Sequence, residues 1–269
     1  MKRSMTSVGG LLRKLSASLL VSVMMLTGVQ AADNSIYIDQ AGDNATIDVT
    51  QDGTSNVVRG IQGVGTGNTT PAKIYGDGNQ VTVNQVGSSN VLNLGINRGN
   101  GNGSTGNIVN YSVQGNSGLA SINLNNAGTG TASGNDVEIT QNGNNASARL
   151  TLTGDDNTIG VTTSGGANNA YLGSITGNTN TQSVSMTGGG GNSATITQTG
   201  DANSTTIAAV GASNTFGITQ NDGGHTTSIS VTGSSNGFNV TQQGTAGANV
   251  FNYTGTGSNN SVTINQNAR

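Results

Sequence analysis

Short runs in which apolar and polar residues alternate recur along most of this chain. The run that begins at Asn192 places Ala194, Ile196 and Gln198 at every second position, with serine and threonine residues near them. Successive side chains of a β-strand point to opposite faces, so the alternation predicts a strand with one apolar face that ends in an amide. No helical periodicity is sustained beyond residue 31, and the fold is predicted to be all-β.

The same run returns at a regular spacing in the last third of the chain. Its form is Asn-x5-Gln, and the pairs are Asn192 and Gln198, Asn214 and Gln220, Asn236 and Gln242, and Asn260 and Gln266. The four glutamines lie 22, 22 and 24 residues apart. Between these copies lie similar runs that lack the final glutamine. Five-residue strands cannot bury an apolar face alone, so the repeat predicts a β-solenoid built from stacked pairs of strands.

Further copies precede this region, with a looser stretch among them. Their pairs are Asn34 and Gln40, Asn44 and Gln51 with one extra residue, Asn79 and Gln85, and Asn135 and Gln141. Asn56 is interpreted as the start of another copy, with Val58 and Gln62 on its inward face. We therefore predict first repeats in 32–62, less regular repeats with Gly/Asn-rich loops in 63–134, and regular repeats in 135–269. The whole would form one continuous solenoid over 34–266.

Glycine-containing turns separate the runs. Gly-Asp begins a turn at Gly42, Gly76, Gly154 and Gly200, each time just before a new strand, and at the last three the tetrapeptide is Gly-Asp-x-Asn. Glycine adopts a positive φ without a Cβ clash, so these turns predict β-arches whose two strands face each other through their side chains. About ten such rungs, stacked about 4.8 Å apart, would place equivalent Asn and Gln residues in hydrogen-bonded ladders.

The first 31 residues predict a signal peptide. Lys2, Arg3, Arg13 and Lys14 precede an apolar stretch, and Val29-Gln30-Ala31 has the compact residues that a signal peptidase recognises. We expect cleavage after Ala31 and export of the rest, with no transmembrane span in the mature chain. Asn34 then opens a strand almost at once.

Composition changes the picture in two ways. Only 8% of the residues are charged and 3% are aromatic, with 44 glycines, which alone would suggest disorder, but the strict alternation opposes this. Beyond residue 31 the chain carries five basic and 12 acidic residues, a formal charge of −7, so nucleic acid is not an expected partner. It has no cysteine, which excludes disulfides and thiol chemistry.

Candidate catalytic or ligand-binding chemistry is sparse. His225 is the only histidine and stands where other units have Asn, so we interpret it as a structural substitution. Asp155 and Asp156 fall in a Gly-Asp-x-Asn turn and are interpreted as solvated turn residues. We expect no enzyme activity, no cofactor and no metal, because a catalytic triad needs a base and a calcium-binding β-roll needs a different, nine-residue repeat.

The repeats resemble those of the curlin family, the bacterial curli amyloid subunits, over nearly all of 34–266. The eight Asn/Gln pairs named above each match one half-repeat of the family pattern. The resemblance implies secretion as an unfolded chain, nucleated polymerisation at the cell surface and a role in adhesion and biofilm matrix. The implied partners are further copies of the chain, a nucleator subunit and dedicated export machinery.

Two departures from the family bear on the prediction. Many units lack the final glutamine, so the amide ladders are expected to be interrupted. The family's Gly-rich leader for the export pore has no evident counterpart before Asn34. Alternative interpretations are a secreted monomeric β-solenoid adhesin or an ice-binding surface, although the threonines look scattered. A hydrolase on a β-helix would need clustered carboxylates or a histidine in a groove.

Overall fold

The computed structural model describes residues 33–61, 69–97, 105–125 and 132–269. Within these ranges the chain forms 20 strands and no helix. In chain order the strands are β1 (Ser35–Ile36), β2 (Ile38–Ala41), β3 (Thr46–Asp48), β4 (Val57–Gly60), β5 (Ala72–Tyr75), β6 (Gln80–Thr82), β7 (Val91–Ile96), β8 (Ile108–Val109), β9 (Leu119–Leu124), β10 (Asp136–Val137), β11 (Ser147–Thr153), β12 (Ala170–Thr176), β13 (Thr181–Ser183), β14 (Ser193–Thr199), β15 (Ser204–Thr206), β16 (Thr215–Asn221), β17 (Thr226–Val231), β18 (Gly237–Gln243), β19 (Val250–Gly255) and β20 (Ser261–Asn267). The signal peptide predicted for 1–31 lies outside these ranges.

The strands stack as a β-solenoid of about nine turns, which confirms the predicted fold. The first sheet has 12 strands, in the order β1-β4-β7-β9-β11-β12-β14-β16-β18-β20 with β2 and β5 beside this path. The opposite side holds two four-stranded sheets, β10-β8-β6-β3 and β13-β15-β17-β19, and we call them together the second sheet. Isolated bridges from Thr158 to Asp136 and to Thr181 join its two halves. Each strand pairing among the described residues is parallel, as stacking of equivalent strands requires.

The core lies between the two sheets and consists of the side chains at alternate positions. In β14 the inward residues Ala194, Ile196 and Gln198 are at most 1% exposed. They pair in register with Phe216, Ile218 and Gln220 of β16. The alternation predicted from sequence is therefore the inward and outward alternation of the solenoid.

The segment predicted to be less regular continues the same columns. Leu94 of β7, Ile122 of β9 and Leu150 of β11 are in register and fully buried. Two gaps in the described ranges lie here, one between Asn97 and Thr105 and one between Asn125 and Ala132. They follow the first-sheet strands β7 and β9. Additional residues therefore enter between strands, and the register of the first sheet is kept on either side.

One inserted segment interrupts a strand of the first sheet, between β4 and β5. The prediction for Gln62 is corrected as a result. The strand that starts at Asn56 stops with β4, and the same level of the first sheet resumes with β5. Ile74 of β5 pairs with Gln40 on one side and with Ile96 on the other, so Ile74 occupies the final inward place that Gln62 was predicted to fill. Gln62 itself lies outside the described residues.

The turns contain the positive φ angles that their glycines predict. Gly42, Gly76, Gly154 and Gly200 have φ angles of 128°, 104°, 127° and 97°. Equivalent turn residues of successive turns lie in close contact. A Cβ on Gly154 would overlap the carbonyl oxygen of Gly177 and lie 2.6 Å from its carbonyl carbon. The turns therefore need glycine for space as well as for conformation.

Candidate functional site: the amide ladders and the open ends

A column of asparagines runs along the edge of the first sheet where each strand begins. In its C-terminal part the backbone N–H and the side-chain Nδ2 of one asparagine both donate to Oδ1 of the asparagine one turn earlier. For Asn214 on Asn192 these distances are 3.0 and 3.1 Å, and for Asn236 on Asn214 both are 3.0 Å. Asn260 repeats the arrangement on Asn236 at 3.0 and 2.9 Å. Each amide oxygen thus serves the next turn, so the ladder has a direction.

The same column reaches the N-terminal end but is interrupted in the middle. Asn56 donates its backbone N–H to Asn34 Oδ1 at 2.9 Å, and Asn90 donates to Asn56 at 3.0 Å. Gly118 then donates its backbone N–H to Asn90 but has no side chain with which to continue. The sequence predicted interruptions where units lack their final glutamine. Here the ladder is interrupted because a unit lacks the asparagine with which other units begin.

A second column of asparagines runs along the second sheet, and it includes Asn79 and Asn135. Asn107 donates to Asn79 through Nδ2 at 2.9 Å, and Asn135 donates to Asn107 at 3.0 Å. The column continues through Asn157 and Asn180, both fully buried. The pairs Asn79/Gln85 and Asn135/Gln141 therefore lie in the opposite sheet from Asn192/Gln198, a division that their common motif did not reveal.

The glutamines form a continuous ladder over the last four first-sheet strands. Gln198 Nε2 donates to Gln220 Oε1 at 2.9 Å, Gln220 to Gln242 at 2.9 Å, and Gln242 to Gln266 at 2.8 Å. The first three side chains are at most 1% exposed. Buried amides in such a chain satisfy one another, so the polar core carries little desolvation cost.

Residues of the second sheet complete this ladder, and sequence reasoning did not identify them. Thr205 Oγ1 donates to Gln220 Oε1 at 3.0 Å, and Thr227 Oγ1 donates to Gln242 Oε1 at 2.8 Å. Gln182 donates to Gln198 at 3.1 Å and accepts a hydrogen bond from the Tyr171 hydroxyl. Burial raises the pKa of Tyr171. The sequence did contain a signal for these contacts, because a polar residue at an inward position of a strand needs a hydrogen-bond partner across the core.

The earlier glutamines make a shorter second-sheet ladder. Gln85 Nε2 donates to Gln51 Oε1 at 2.6 Å. Val113 is the next inward residue by register, so the amide chain stops, and Gln141 Nε2 instead donates to Leu119 O at 3.4 Å. In the first sheet Gln40 Nε2 donates to Gly42 O. The residue that pairs with Gln40 in the next turn is Ile74, which cannot continue an amide ladder. The predicted interruption of the glutamine ladder is thus present at these positions.

The prediction for Asn44 is wrong in its position. Thr46 pairs with Gln80, so Ala45 and not Asn44 lies beside Asn79 at the start of the second-sheet column. Asn44 is exposed in the preceding turn, where its φ is 56°. The extra residue in the Asn44–Gln51 unit is therefore a turn residue, and the strand itself begins with alanine.

The predicted turn carboxylates also have structural partners. Asp201 Oδ1 accepts the backbone N–H of Asn178 at 2.7 Å, and Asp77 Oδ1 accepts that of Asp43 at 2.7 Å. Asp155 Oδ1 accepts the Ser133 N–H at 2.8 Å. Among the described residues no group of three or more His, Cys, Asp or Glu side chains is placed to hold a metal ion. These carboxylates link successive turns.

The comparison with protein families bears on the same region. A family described as the Curlin associated repeat matches residues 189–221. This match confirms the resemblance to the curlin repeat family, and the matched segment contains β14, β15 and the start of the continuous glutamine ladder. No curated protein and no solved structure matches the chain. Over the described ranges, no helix has the length and apolar character needed to cross a membrane.

A substitution at Gln220 tests whether the ladder stabilises the fold. Gln220→Leu keeps most of the volume but removes the donor to Gln242 and the acceptor for Gln198 and Thr205. We expect the free energy of unfolding to fall by about 2 kcal/mol, because buried partners lose hydrogen bonds. Denaturant unfolding measures this change. The matched variant Gln243→Leu, on the outward face of β18, should cost less than about 0.5 kcal/mol; equal losses in both variants would contradict the role of the ladder.

Proposed function

We propose that this chain is a structural subunit of an extracellular, curli-like amyloid fibre that grows when whole solenoids stack end to end. The observation that carries the proposal is that the two end strands of the first sheet, among the described residues, are complementary in donors, acceptors and register. The proposed role is adhesive and structural, in surface attachment and biofilm matrix, with no catalytic step and no cofactor. The curlin repeat and the β-solenoid fold support it.

The C-terminal end is the edge of β20. In this solenoid the outward residues direct their backbone N–H to the next turn, as Thr215 does to Asn236 O and Gly237 to Asn260 O, each at 2.8 Å. By the same alternation the backbone groups of Ser261, Thr263 and Asn265 point away from β18. No asparagine of a following turn donates to Asn260 Oδ1 in the part of the chain that the structure describes. This end therefore offers an ordered set of backbone groups and one amide acceptor.

The N-terminal end is the edge of β1 and β2. Ser35 and Tyr37 donate their backbone N–H to Asn56 O and Val58 O, both at 2.9 Å, so they face the second turn. The alternation directs the backbone groups of Ile36, Ile38 and Gln40 to the open side. Among the described residues no strand pairs with this open side, and such a strand edge is a template for another strand.

The two ends fit each other in the register of the fold. If a second copy continues the stack, Ser261 N–H donates to Asn34 O, and Asn34 N–H donates to Asn260 Oδ1, which are the bonds found between internal turns. The inward residues Val262, Ile264 and Gln266 then lie against Ile36, Ile38 and Gln40. Apolar side chains meet apolar side chains and glutamine meets glutamine. Each addition repeats the internal geometry of the first sheet, so growth is by β-augmentation of that sheet.

Export and localisation form part of the proposal. The signal peptide predicted for 1–31 would deliver the chain out of the cytoplasm, and assembly would follow outside the cell. Further copies of the chain are the main partner. A nucleator subunit and export machinery are the additional partners that the curlin resemblance implies.

Replacing Thr263 by proline tests the growth edge. Proline removes the N–H that points away from β18 and leaves the bonds between β20 and β18 in place. We expect elongation from wild-type seeds to be at least ten-fold slower, with an unchanged unfolding midpoint. Thr263→Val, which keeps the N–H and loses the hydroxyl, should elongate normally. Elongation of Thr263→Pro at the wild-type rate would contradict end stacking at β20.

A second candidate function rests on the outer face of the first sheet. The threonines that looked scattered in the sequence include a continuous hydroxyl column, and that expectation was wrong: Thr151, Ser174, Thr197, Thr219 and Thr241 are consecutive in register. Such a column favours an ice-binding or adhesive surface on a monomeric solenoid. Thermal hysteresis by a soluble, non-fibrous protein would support this alternative. Thr–Thr pairs across strands also stabilise a sheet, so the column is equally compatible with the fibre.

A further inference from the structure

His225 is the one described residue in the second-sheet asparagine column that carries an imidazole in place of an amide. It stands between Asn203 and Asn249, at the start of β17, and is 0% exposed. Its backbone N–H donates to Asn203 Oδ1 at 3.1 Å, as the asparagine at this position in other turns would. The difference lies in what its side chain offers to the following turn.

The hydrogen bonds of the imidazole fix its protonation state. Nε2 lies 2.7 Å from Asn221 O, which can only accept, so Nε2 carries a hydrogen. Nδ1 accepts the backbone N–H of Asn249 at 3.1 Å, and this N–H can only donate, so Nδ1 carries none. The observed arrangement therefore requires the neutral ring with its hydrogen on Nε2.

We propose that His225 is a pH-sensitive latch, which holds the C-terminal turn of the solenoid only while the imidazole is neutral. Protonation places a hydrogen on Nδ1, opposite the Asn249 N–H. The two donors repel, and the N–H loses its acceptor. An asparagine at this place keeps its acceptor at every pH of interest, because an amide oxygen does not titrate in this range.

The strand affected is β19, which begins directly after Asn249. It carries Phe251 and Tyr253 to the C-terminal end of the core, where the Tyr253 ring packs edge-on against Phe238 with centroids 4.9 Å apart. Gln266 Nε2 donates to Val250 O at 3.1 Å, so β19 also supports β20. Loosening β19 in acid would therefore also disturb β20, the proposed growth edge.

Few other charged groups lie near the latch. Asp222 belongs to the same turn and accepts the Gly244 N–H at 2.8 Å through Oδ2. Asp201 belongs to the preceding turn, and both carboxylates are exposed. The following turn, 244–248, contains no titratable residue, nor do β15, β16, β17, β18 and β20; β19 contains only Tyr253. Among the side-chain types in these elements, imidazole is the one whose unperturbed pKa lies between about 5 and 8.

Hydrogen exchange on the full mature chain tests the latch directly. We expect protection of the β19 amides, corrected for intrinsic exchange rates, to fall about ten-fold from pH 7.5 to pH 5.0, as loss of a buried hydrogen bond predicts. The matched variant is His225→Asn, which restores the amide acceptor and keeps Asp201 and Asp222. Its β19 protection should not change with pH. Equal pH dependence in the two proteins would overturn the inference.

A seeding assay then connects the latch to assembly, and this arm rests on the proposed function. For each protein we compare the elongation rate at pH 7.5 with the rate at pH 5.0. This ratio of rates should be about ten-fold larger for the wild-type chain than for His225→Asn. Equal ratios for the two proteins would overturn the latch and leave the fibre proposal standing. Absence of elongation by either protein at both pH values would instead contradict the fibre proposal, while the exchange experiment would still decide the latch.

Discussion

Replacing Gly177 by alanine should lower the free energy of unfolding by about 3–5 kcal/mol. Gly177 has a φ of 132°, which L-residues with a Cβ rarely adopt. An added Cβ would overlap the carbonyl oxygen of Gly200, lie 2.6 Å from its carbonyl carbon, and lie 3.0 Å from Asp201 Oδ1. Backbone strain costs about 1–3 kcal/mol, and the overlap with an immobile backbone adds a similar amount.

Gly217 provides the matched control for this variant. It lies on the outward face of β16, and a Cβ there would meet nothing closer than Phe238 O at 3.8 Å. Gly217→Ala should be neutral or slightly stabilising, because alanine restricts the unfolded chain. Denaturant unfolding of both variants measures the difference. Similar behaviour of the two variants would show that stacked turns do not limit this fold.

Replacing Phe216 by alanine should cost about 3–5 kcal/mol, because it opens a large cavity in the core. Phe216 is 1% exposed and stacks on Phe238, with ring centroids 5.5 Å apart and planes 11° apart. It also pairs with Ala194, a small residue that cannot move to fill the space. Thermal or denaturant unfolding of the soluble protein measures the loss.

Phe251→Ala is the comparison that separates burial from residue type. Phe251 occupies the same place in its repeat but lies in β19 near the open end, where it is only partly buried. Its loss should cost roughly half as much, since less area returns to water. A larger loss for Phe251 than for Phe216 would contradict the placement of the core and of the end.

The sequence predicted strand type and facing correctly wherever a strand was uninterrupted. Ala194, Ile196 and Gln198 alternate with polar residues, and a period of two residues leaves one choice of inward face. The glycine turns were equally direct, because Gly42 and Gly154 stand where only a positive φ reverses the chain. Local sequence thus specified the parts of the fold that depend on local geometry.

Register between turns could not be predicted in the same way. Successive turns are not equally long: Asn56 and Asn90 are 34 residues apart, Asn90 and Gly118 are 28 apart, and Asn192 and Asn214 are 22 apart. A constant motif therefore fell in different sheets, and Gln62 was assigned a place that an insertion gives to Ile74. Insertions change chain length without changing hydrophobic pattern, so the pattern alone does not reveal them.

The partners of the glutamine ladder were missed for a related reason. Thr205 and Thr227 reach Gln220 and Gln242 from the opposite sheet, and this contact depends on how the two strands of a turn face each other. The threonine column of the first sheet likewise emerges only when five turns are stacked in register. Properties of the assembled column are long-range in sequence, although each residue follows a local rule.

The same stacking explains why an open end is the centre of the proposed function. Each internal strand of the first sheet pairs with the turn before it and the turn after it, and the asparagine and glutamine ladders add side-chain bonds where they are continuous. Within the described residues the first and last turns have one neighbour each, and β20 presents backbone groups with the spacing of an internal strand. A second copy supplies the missing first-sheet neighbour in the register of an internal turn.

X-ray diffraction from aligned assemblies of the mature chain tests the central claim most directly. If solenoids stack end to end, concentrated protein forms fibres without a partner, with a meridional reflection at about 4.7–4.8 Å from strands perpendicular to the fibre axis. A protein that stays monomeric at high concentration, or fibres whose 4.7–4.8 Å reflection lies on the equator, would contradict it.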